Sequence, residues 1–136
     1  MLCRLMPRPL LLLALPVVAA AAVACGSEEI DVAKDSANYN GAEIFHQRCA
    51  ACHSLDVAGA QGSAVNANKR EYKDGPNFDQ RKEEVDQVLY AIRNGGFSSG
   101  PMPQNIVVGK EAEAVARFVA ENSGKDADKP ASPAAP

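Results

Sequence analysis

The sequence predicts an all-α domain over about residues 38–124. Three segments in this range repeat apolar residues at intervals of three and four positions, which places them on one face of a helix. No segment shows the alternation of apolar and polar residues that is typical of a strand. The chain has no Trp and 5% aromatic residues, so we expect a domain this small to have a thin core of its own.

The first predicted helix begins at Asn40, which we interpret as its N-cap. Glu43 follows three residues later, and the pair has the pattern of a capping box. The helix then runs through Ile44 and Phe45 to Cys49.

The second predicted helix covers about residues 82–94, and Gly95 ends it because glycine readily adopts the conformation of a C-cap. Its first turn carries Glu83 and Glu84, which suit the positive end of the helix dipole. Its apolar face consists of Val85, Val88, Leu89 and Ile92.

The third predicted helix covers about residues 110–123 and is closed by Gly124. Its inward face consists of Ala112, Val115, Ala116, Phe118 and Val119. Between the first two helices, residues 54–78 form a long loop with little apolar content. Loops of this length in compact domains tend to be functional.

The motif Cys49-Ala50-Ala51-Cys52-His53 lies where the first helix meets this loop. Two thiols three positions apart project to one side of a helical turn, where each can add to a vinyl group of a porphyrin. The imidazole that follows can ligate the iron. C-x-x-C-H is the attachment signal of c-type haem, so we predict one covalently bound haem c, with the long loop around one side of it.

Three other interpretations of this motif have less support. A zinc site needs four nitrogen or sulfur ligands, and the remaining candidates are His46, Cys3 and Cys25. A thioredoxin-like redox pair needs a βαβ context, which the sequence does not predict. A structural disulfide leaves the adjoining histidine unexplained.

Residues 1–24 have the composition of an export signal. Arg4 and Arg8 precede an apolar run of 15 residues that contains Pro16. This run is shorter than the roughly 20 residues that span a bilayer. A positive start, an apolar middle and small residues at the end are typical of a signal peptide, so we predict its removal on export.

Cys25 then becomes the first residue of the mature chain. The segment Cys25-Gly26-Ser27 resembles the lipobox of bacterial lipoproteins, although Ala22 stands where Leu is usual. The resemblance implies that Cys25 is acylated and holds the protein on the outer face of the cytoplasmic membrane. Two alternatives remain: cleavage that leaves a free thiol in an exported periplasmic protein, and an uncleaved signal that anchors the chain.

Both ends of the mature chain are polar. We interpret residues 25–37 as a lipid-anchored tether, residues 38–124 as the domain and residues 125–136 as a disordered tail of Ala, Pro and Lys. The formal net charge is −3 and becomes −5 when Arg4 and Arg8 leave with the signal peptide. This charge disfavours nucleic acid as a partner and favours a protein with a basic docking patch.

Met102 is the only methionine after the signal peptide, and it lies between Pro101 and Pro103. The two prolines favour a stiff, extended segment that can present a thioether to a metal. The alternative is a methionine that fills a gap in the core. With a haem motif upstream, we predict that Met102 is the second iron ligand. His46 lies on the helix of the cysteines, so we interpret it as a surface or propionate-side residue.

The whole pattern resembles the class I c-type cytochromes, in particular the small bacterial proteins with one haem. The resemblance covers about residues 40–124 and depends on the C-x-x-C-H motif, Gly75-Pro76-Asn77-Phe78, Asn94-Gly95-Gly96 and Met102-Pro103. It implies the cytochrome c fold, with three main helices and a long loop around one haem.

The resemblance also implies roles for individual residues. In that family a proline carbonyl accepts a hydrogen bond from the ligating histidine, which assigns this role to Pro76, with Phe78 in place of the usual Leu. The first and last helices of the family cross with a small residue against an aromatic one. Gly41 and Phe45 with Phe118 fit that crossing.

The function that the resemblance implies is one-electron transfer and not catalysis. His53 and Met102 are the expected axial ligands, and a membrane donor complex and a terminal oxidase or similar acceptor are the expected partners of a monomer. One alternative is a fixed haem subunit of a larger redox complex. Another is a haem peroxidase or gas sensor, in which Met102 is weakly bound or displaced.

Overall fold

The computed structural model describes residues 29–64 and 69–127. Its elements in chain order are α1 (Tyr39–Arg48), β1 (Ser54–Leu55), a short 3-10 helix (Asp56–Ala58), β2 (Ala60–Gln61), α2 (Val85–Asn94) and α3 (Gly109–Asn122). The all-α prediction is confirmed. The signal peptide, Cys25 and residues 128–136 of the predicted tail lie outside the described residues.

The two strands form one antiparallel pair, with Ser54 opposite Gln61 and Leu55 opposite Ala60. Two residues per strand are too few to show an alternating pattern, so the sequence carried no signal for this pair. The pairing folds the start of the long loop back on itself directly after the C-x-x-C-H motif.

The predicted N-cap of the first helix is wrong. The N-cap is Asn38, and Asn40 lies within the first turn of α1. The Asn38 side chain makes no cap hydrogen bond; its amide donates instead to the carboxylate of Glu121 on α3. The start of α1 is therefore fixed by a contact with a distant helix, which the local capping-box pattern cannot reveal.

The crossing of α1 and α3 depends on Gly41. A β-carbon at this position would lie 2.5 Å from the carbonyl oxygen of Ala114 and 2.7 Å from the β-carbon of Phe118. Any side chain would force the helices apart. The rings of Phe45 and Phe118 meet edge to face beside this contact, with centroids 6.1 Å apart. The expected small-against-aromatic crossing is present.

Helix α2 begins at Val85, three residues later than predicted. Glu84 is its N-cap in an extended conformation, and Glu84 and Gln87 form a reciprocal capping box. Glu83 therefore precedes the helix and does not belong to its first turn. Gly95 ends α2 at a φ of 75°, as predicted, and Val88 and Ile92 are its buried residues.

Helix α3 packs against both α1 and α2. All five predicted inward residues are buried. Gly124 follows the helix at a φ of 75°, and its N–H donates to the carbonyl of Phe78 at 2.7 Å. The end of α3 is thereby tied to the last residue of the long loop.

Residues on both sides of the predicted range 38–124 also contact the folded domain. Ile30 and Val32 pack against the core, and the N–H of Asp31 donates to the carbonyl of Val57 at 3.0 Å. At the other end, the N–H of Asp126 donates to the carbonyl of Asp79 at 2.7 Å. Residues 30–32 of the predicted tether therefore lie against the domain. Within the described ranges, no helix combines the length and apolar character needed to cross a membrane.

Candidate haem site

The three helices and the loops between them enclose a cavity of about 340 Å³. Its walls are mainly apolar and include Phe45, Phe78, Val88, Ile92, Ile106, Val115 and Val119. All five sequence-predicted cofactor residues line it: Cys49, Cys52, His53, Pro76 and Met102. The fold therefore brings together residues that are as many as 53 positions apart in the sequence.

Cys49 and Cys52 carry free thiols. Cys49 is the C-cap of α1, and its carbonyl accepts hydrogen bonds from the N–H groups of Cys52 at 3.1 Å and His53 at 3.0 Å. One tight turn thus holds the whole motif against the cavity. Burial, reinforced by the nearby Cys52, raises the pKa of the Cys49 thiol to about 12. Cys49 is therefore a protonated thiol at neutral pH.

The His53 ring is buried and has one defined hydrogen bond. Its Nδ1–H donates to the carbonyl of Pro76 at 3.1 Å, which leaves the Nε2 lone pair free. Burial lowers the pKa of His53; the Pro76 hydrogen bond opposes this effect, and the charge of Arg81 adds to it. The ring is therefore held in the neutral form that can ligate a metal.

Two further residues fix the plane of the His53 ring. A β-carbon on Gly75 would lie 2.3 Å from Cε1 and 2.6 Å from Nδ1 of the imidazole, so the ring occupies the space that any other residue would fill. Phe78 also stacks on the imidazole, with centroids 4.7 Å apart and planes 6° from parallel. The replacement of Leu by Phe78 thus provides a flat surface for the ring.

Ser63 also belongs to this part of the site, although the sequence analysis did not identify it. Its buried hydroxyl lies 3.0 Å from the carbonyl oxygens of both Gly75 and Pro76. It also accepts a hydrogen bond from the N–H of Ser54 at 3.0 Å. A single serine in a loop rich in small residues has no pattern that could have marked it in advance.

Met102 lies in the segment after α2 and is half-buried. Gly95 allows the backbone to approach it, because a β-carbon on Gly95 would lie 2.8 Å from the Met102 carbonyl oxygen. A β-carbon on Gly96 would make only an ordinary contact of 3.8 Å with the Met102 sulfur, and Gly96 is required instead by its φ of 89°. Gly95 therefore provides space for the methionine segment.

The cavity lining is richer in cations than the whole chain. Four cations line it, Arg48, Arg70, Lys73 and Arg81, against two acids, Asp74 and Glu83. Glu83 is 3% exposed and pairs with Arg81. These cations come from three separate segments of the sequence, so the net charge of −3 for the whole chain gave no indication that they meet in one place.

His46 has a structural role away from the cavity. It is half-buried, and its Nδ1–H donates to the carbonyl of Ala58 at 2.8 Å. This hydrogen bond joins α1 to the short 3-10 helix. The prediction of a surface or propionate-side histidine is therefore replaced by a link between two elements of the fold.

An all-α fold around an apolar cavity, with two thiols, a neutral imidazole and a thioether in its lining, fits a covalently bound haem. These features define a c-type cytochrome of class I. The sequence model of the Cytochrome c family matches residues 39–123, and the chain belongs to this family. The family cofactor is covalent haem c, and Cys49 and Cys52 have the spacing that its attachment requires.

Two relatives agree with this assignment. Cytochrome c-551 of Bacillus subtilis (strain 168) is 30% identical over 105 residues, which cover 72% of this chain and 81% of the relative. The crystal structure of the c-type cytochrome SorU from Sinorhizobium meliloti matches with a TM-score of 0.51 and 38% identity. The match covers 65% of this chain and 93% of SorU.

Proposed function

We propose that the protein is a one-electron carrier with a single haem c, bound through Cys49 and Cys52, and with His53 and Met102 as the axial ligands. The observation that carries this proposal is the shared cavity: the free Nε2 of His53 and the Met102 side chain lie in the same apolar lining as both thiols. We propose that the chain acts as a carrier and not as an enzyme.

The bound haem supplies the reversible Fe(III)/Fe(II) couple, and the residues of the chain set its properties. His53 is oriented by Pro76 and Phe78, so its ring would move little when the iron changes charge. A thioether from Met102 in the second axial position favours the reduced state compared with a second histidine. The apolar walls exclude water, which also favours the form with lower charge.

The four cations of the lining fit the two carboxylates of a haem. Arg48, Arg70, Lys73 and Arg81 are all exposed residues that reach the cavity, so their side chains can pair with propionates while the apolar walls contact the porphyrin. Arg48 and Arg70 would be the main charge partners of the propionates, because Lys73 and Arg81 also pair with Asp74 and Glu83.

We further propose that the protein works outside the cytoplasm, held on the membrane by an acylated Cys25. The support comes from the signal-like residues 1–24, from the lipobox-like Cys25-Gly26-Ser27 and from the similarity to bacterial cytochromes. Donor and acceptor proteins at this membrane surface are the proposed partners.

A second candidate function is that of a fixed haem subunit in a larger redox complex, and one surface favours it. Tyr90 and Phe97 stack with centroids 5.1 Å apart, although they are 51% and 61% exposed. Phe97 also lines the cavity. Exposed aromatic residues are enriched at protein interfaces, so a partner docked here would lie beside the haem.

The optical spectrum of the haem-loaded protein tests the proposed ligands. We expect a low-spin, six-coordinate iron in both oxidation states and a weak long-wavelength sulfur-to-iron band in the ferric form. Met102→Ala should abolish this band and give a high-spin ferric spectrum. Ile106→Ala, which enlarges the same cavity without removing sulfur, is the matched control and should retain the band. A high-spin wild-type ferric spectrum would contradict the proposal and favour a peroxidase or sensor.

Mass spectrometry of the mature protein tests the anchor separately. Acylation predicts a mature N-terminus at Cys25 with added lipid mass, and Cys25→Ser should release the protein into the soluble exported fraction. An unmodified Cys25 or a retained Met1 would overturn the acylation of Cys25 and leave the electron-carrier proposal intact.

Purification from native membranes distinguishes a carrier from a fixed subunit. A carrier should purify free of other redox subunits, whereas a subunit should purify with a partner in constant ratio. In the second case, Phe97→Ser should release the partner. Tyr72→Ser is the control, because Tyr72 is 79% exposed in the long loop.

A further inference from the structure

The Ser63 hydroxyl has one proton and several acceptors around it. Its oxygen lies 3.0 Å from the carbonyl oxygens of Gly75 and Pro76, and 3.4 Å from that of Cys52. Equal distances to Gly75 and Pro76 describe a three-centre hydrogen bond shared by two successive carbonyls. The oxygen itself accepts the N–H of Ser54, which fixes the direction in which the hydroxyl can donate.

The Pro76 carbonyl therefore receives two donors. The Nδ1–H of His53 approaches it at 3.1 Å and the Ser63 hydroxyl at 3.0 Å. A carbonyl oxygen has two lone pairs, so both bonds can form together. Each donor withdraws electron density from the oxygen and so weakens the other hydrogen bond.

The Pro76 carbonyl does not depend on Ser63 for its position. The N–H of Gly75 donates to the carbonyl of Cys52 at 2.7 Å, and the N–H of Phe78 donates to the carbonyl of Ser54 at 2.8 Å. These two backbone bonds hold the segment on either side of Pro76. Removal of the hydroxyl should therefore change mainly how strongly the carbonyl accepts the proton of His53.

We propose that Ser63 is a positioning residue for the iron ligand: by donating to the Pro76 carbonyl, its hydroxyl weakens the His53 hydrogen bond and favours the reduced state of the haem. A weaker Nδ1–H···O bond leaves the imidazole less basic, and a less basic ligand stabilises Fe(III) less. The proposal rests on the proposed ligation of iron by His53.

The test compares Ser63→Ala with wild type in the haem-loaded full chain, by redox titration against a fixed reference couple. Loss of the hydroxyl should shift the Fe(III)/Fe(II) equilibrium about threefold toward Fe(III), a fall of about 30 mV in midpoint potential. The proton NMR resonance of the His53 Nδ1–H in the reduced protein should move downfield, because its hydrogen bond becomes stronger.

Ser54→Ala is the matched control. The Ser54 hydroxyl accepts the N–H of Ser63 at 3.0 Å, so its removal also costs a buried hydrogen bond, but it does not touch the Pro76 carbonyl. Both variants should unfold at lower temperature than wild type, and only Ser63→Ala should shift the potential and the NMR resonance.

An unchanged potential in Ser63→Ala, or a shift toward Fe(II), would overturn the role of Ser63. Equal shifts in both variants would overturn it too, because a general loosening of the loop would then explain the change. The low-spin spectrum with its sulfur band is measured on the same samples. Its absence in wild type would count against the proposed ligands themselves, so the two failures are distinguishable.

Discussion

The two sides of the cavity hold their candidate iron ligands in different ways. The His53 ring has a hydrogen bond to Pro76, a stacked ring at Phe78 and no free space toward Gly75. Met102 is half-buried in a segment whose residues 97–101 and 103 are exposed. Side-chain and backbone contacts fix the orientation of the imidazole, whereas the position of the thioether depends mainly on where the backbone of its segment lies.

The chemistry of the two side chains explains this difference. An imidazole must point one nitrogen at the metal within a narrow range of angles, so its plane and its protonated nitrogen must both be set. A methionine has three rotatable bonds and a polarizable sulfur, so it can adjust once its backbone is close. Substitutions around His53 should therefore cost more than substitutions around Met102.

The largest effect is expected from a pair of glycine substitutions, one on each side. Gly75→Ala places a methyl group 2.3 Å from the imidazole, and the overlap should cost about 3 kcal/mol of unfolding free energy. Gly100→Ala meets its nearest neighbour, the Ser98 hydroxyl, at an ordinary 3.7 Å and should cost less than about 0.5 kcal/mol. Denaturant unfolding of the haem-loaded variants measures both. Equal costs would remove the proposed difference between the two sides.

Competition by an external ligand tests the same difference without mutation. Imidazole added to the ferric protein should replace Met102, because the thioether segment is the less restrained of the two. The sulfur-to-iron band should disappear while the haem stays attached and low-spin. Displacement of His53, seen as loss of its Nδ1–H signal with retention of the sulfur band, would reverse the comparison.

Phe78→Leu measures the contribution of the stacked ring. This substitution restores the residue usual in the family and removes an aromatic contact of 4.7 Å between centroids. Aromatic pairs of this kind contribute about 0.5–1.5 kcal/mol beyond burial, so we expect a loss of about 1 kcal/mol in unfolding free energy. An unchanged stability would mean that the flat surface under His53 is not required.

The smallest change in unfolding free energy is expected from a substitution of Asp79, the residue after Phe78 in the chain. Burial raises the pKa of this carboxyl, and the charges of Asp56 and Asp126 act in the same direction, against a hydrogen bond from the Asp56 backbone. The folded state therefore binds more protons than the unfolded state between the ordinary pKa and the raised one. Stability falls as pH rises through that window.

Asp79→Asn should remove the cost of burying a charged carboxylate. The amide oxygen can still accept the N–H of Asp56, which donates to Asp79 at 2.9 Å in the wild type. At pH 7 the expected gain in unfolding free energy is on the order of 0.5 kcal/mol. The gain should vanish as the pH falls toward 4. Unfolding midpoints at several pH values measure it, and a gain that persists in acid would contradict the assigned cause.

Local signals in the sequence predicted the parts of the molecule that depend on local chemistry. The C-x-x-C-H spacing and the helix-ending Gly95 and Gly124 follow from neighbours in the chain. Features that depend on distant contacts were not predictable in this way. Asn38 is fixed by Glu121 across the fold, and residues 30 and 32 join the core through a loop far along the chain.

The missed parts of the site have the same origin. Ser63 matters because folding brings its hydroxyl to a carbonyl 13 positions away, and no spacing rule describes that contact. The basic lining likewise comes from residues spread between Arg48 and Arg81. The net charge of the chain does not reveal it, because acids elsewhere in the sequence outnumber these cations. Motif residues could be predicted because covalent chemistry fixes their spacing, whereas their supporting contacts depend on the finished fold.

The proton NMR spectrum of the reduced, haem-loaded protein is the sharpest test of the proposed ligands His53 and Met102, because it reports on both sides of the iron in one sample. We predict a methyl resonance of Met102 shifted far upfield by the porphyrin ring current, together with a slowly exchanging Nδ1–H of His53. A spectrum without the upfield methyl resonance, or with a rapidly exchanging His53 proton, would contradict it.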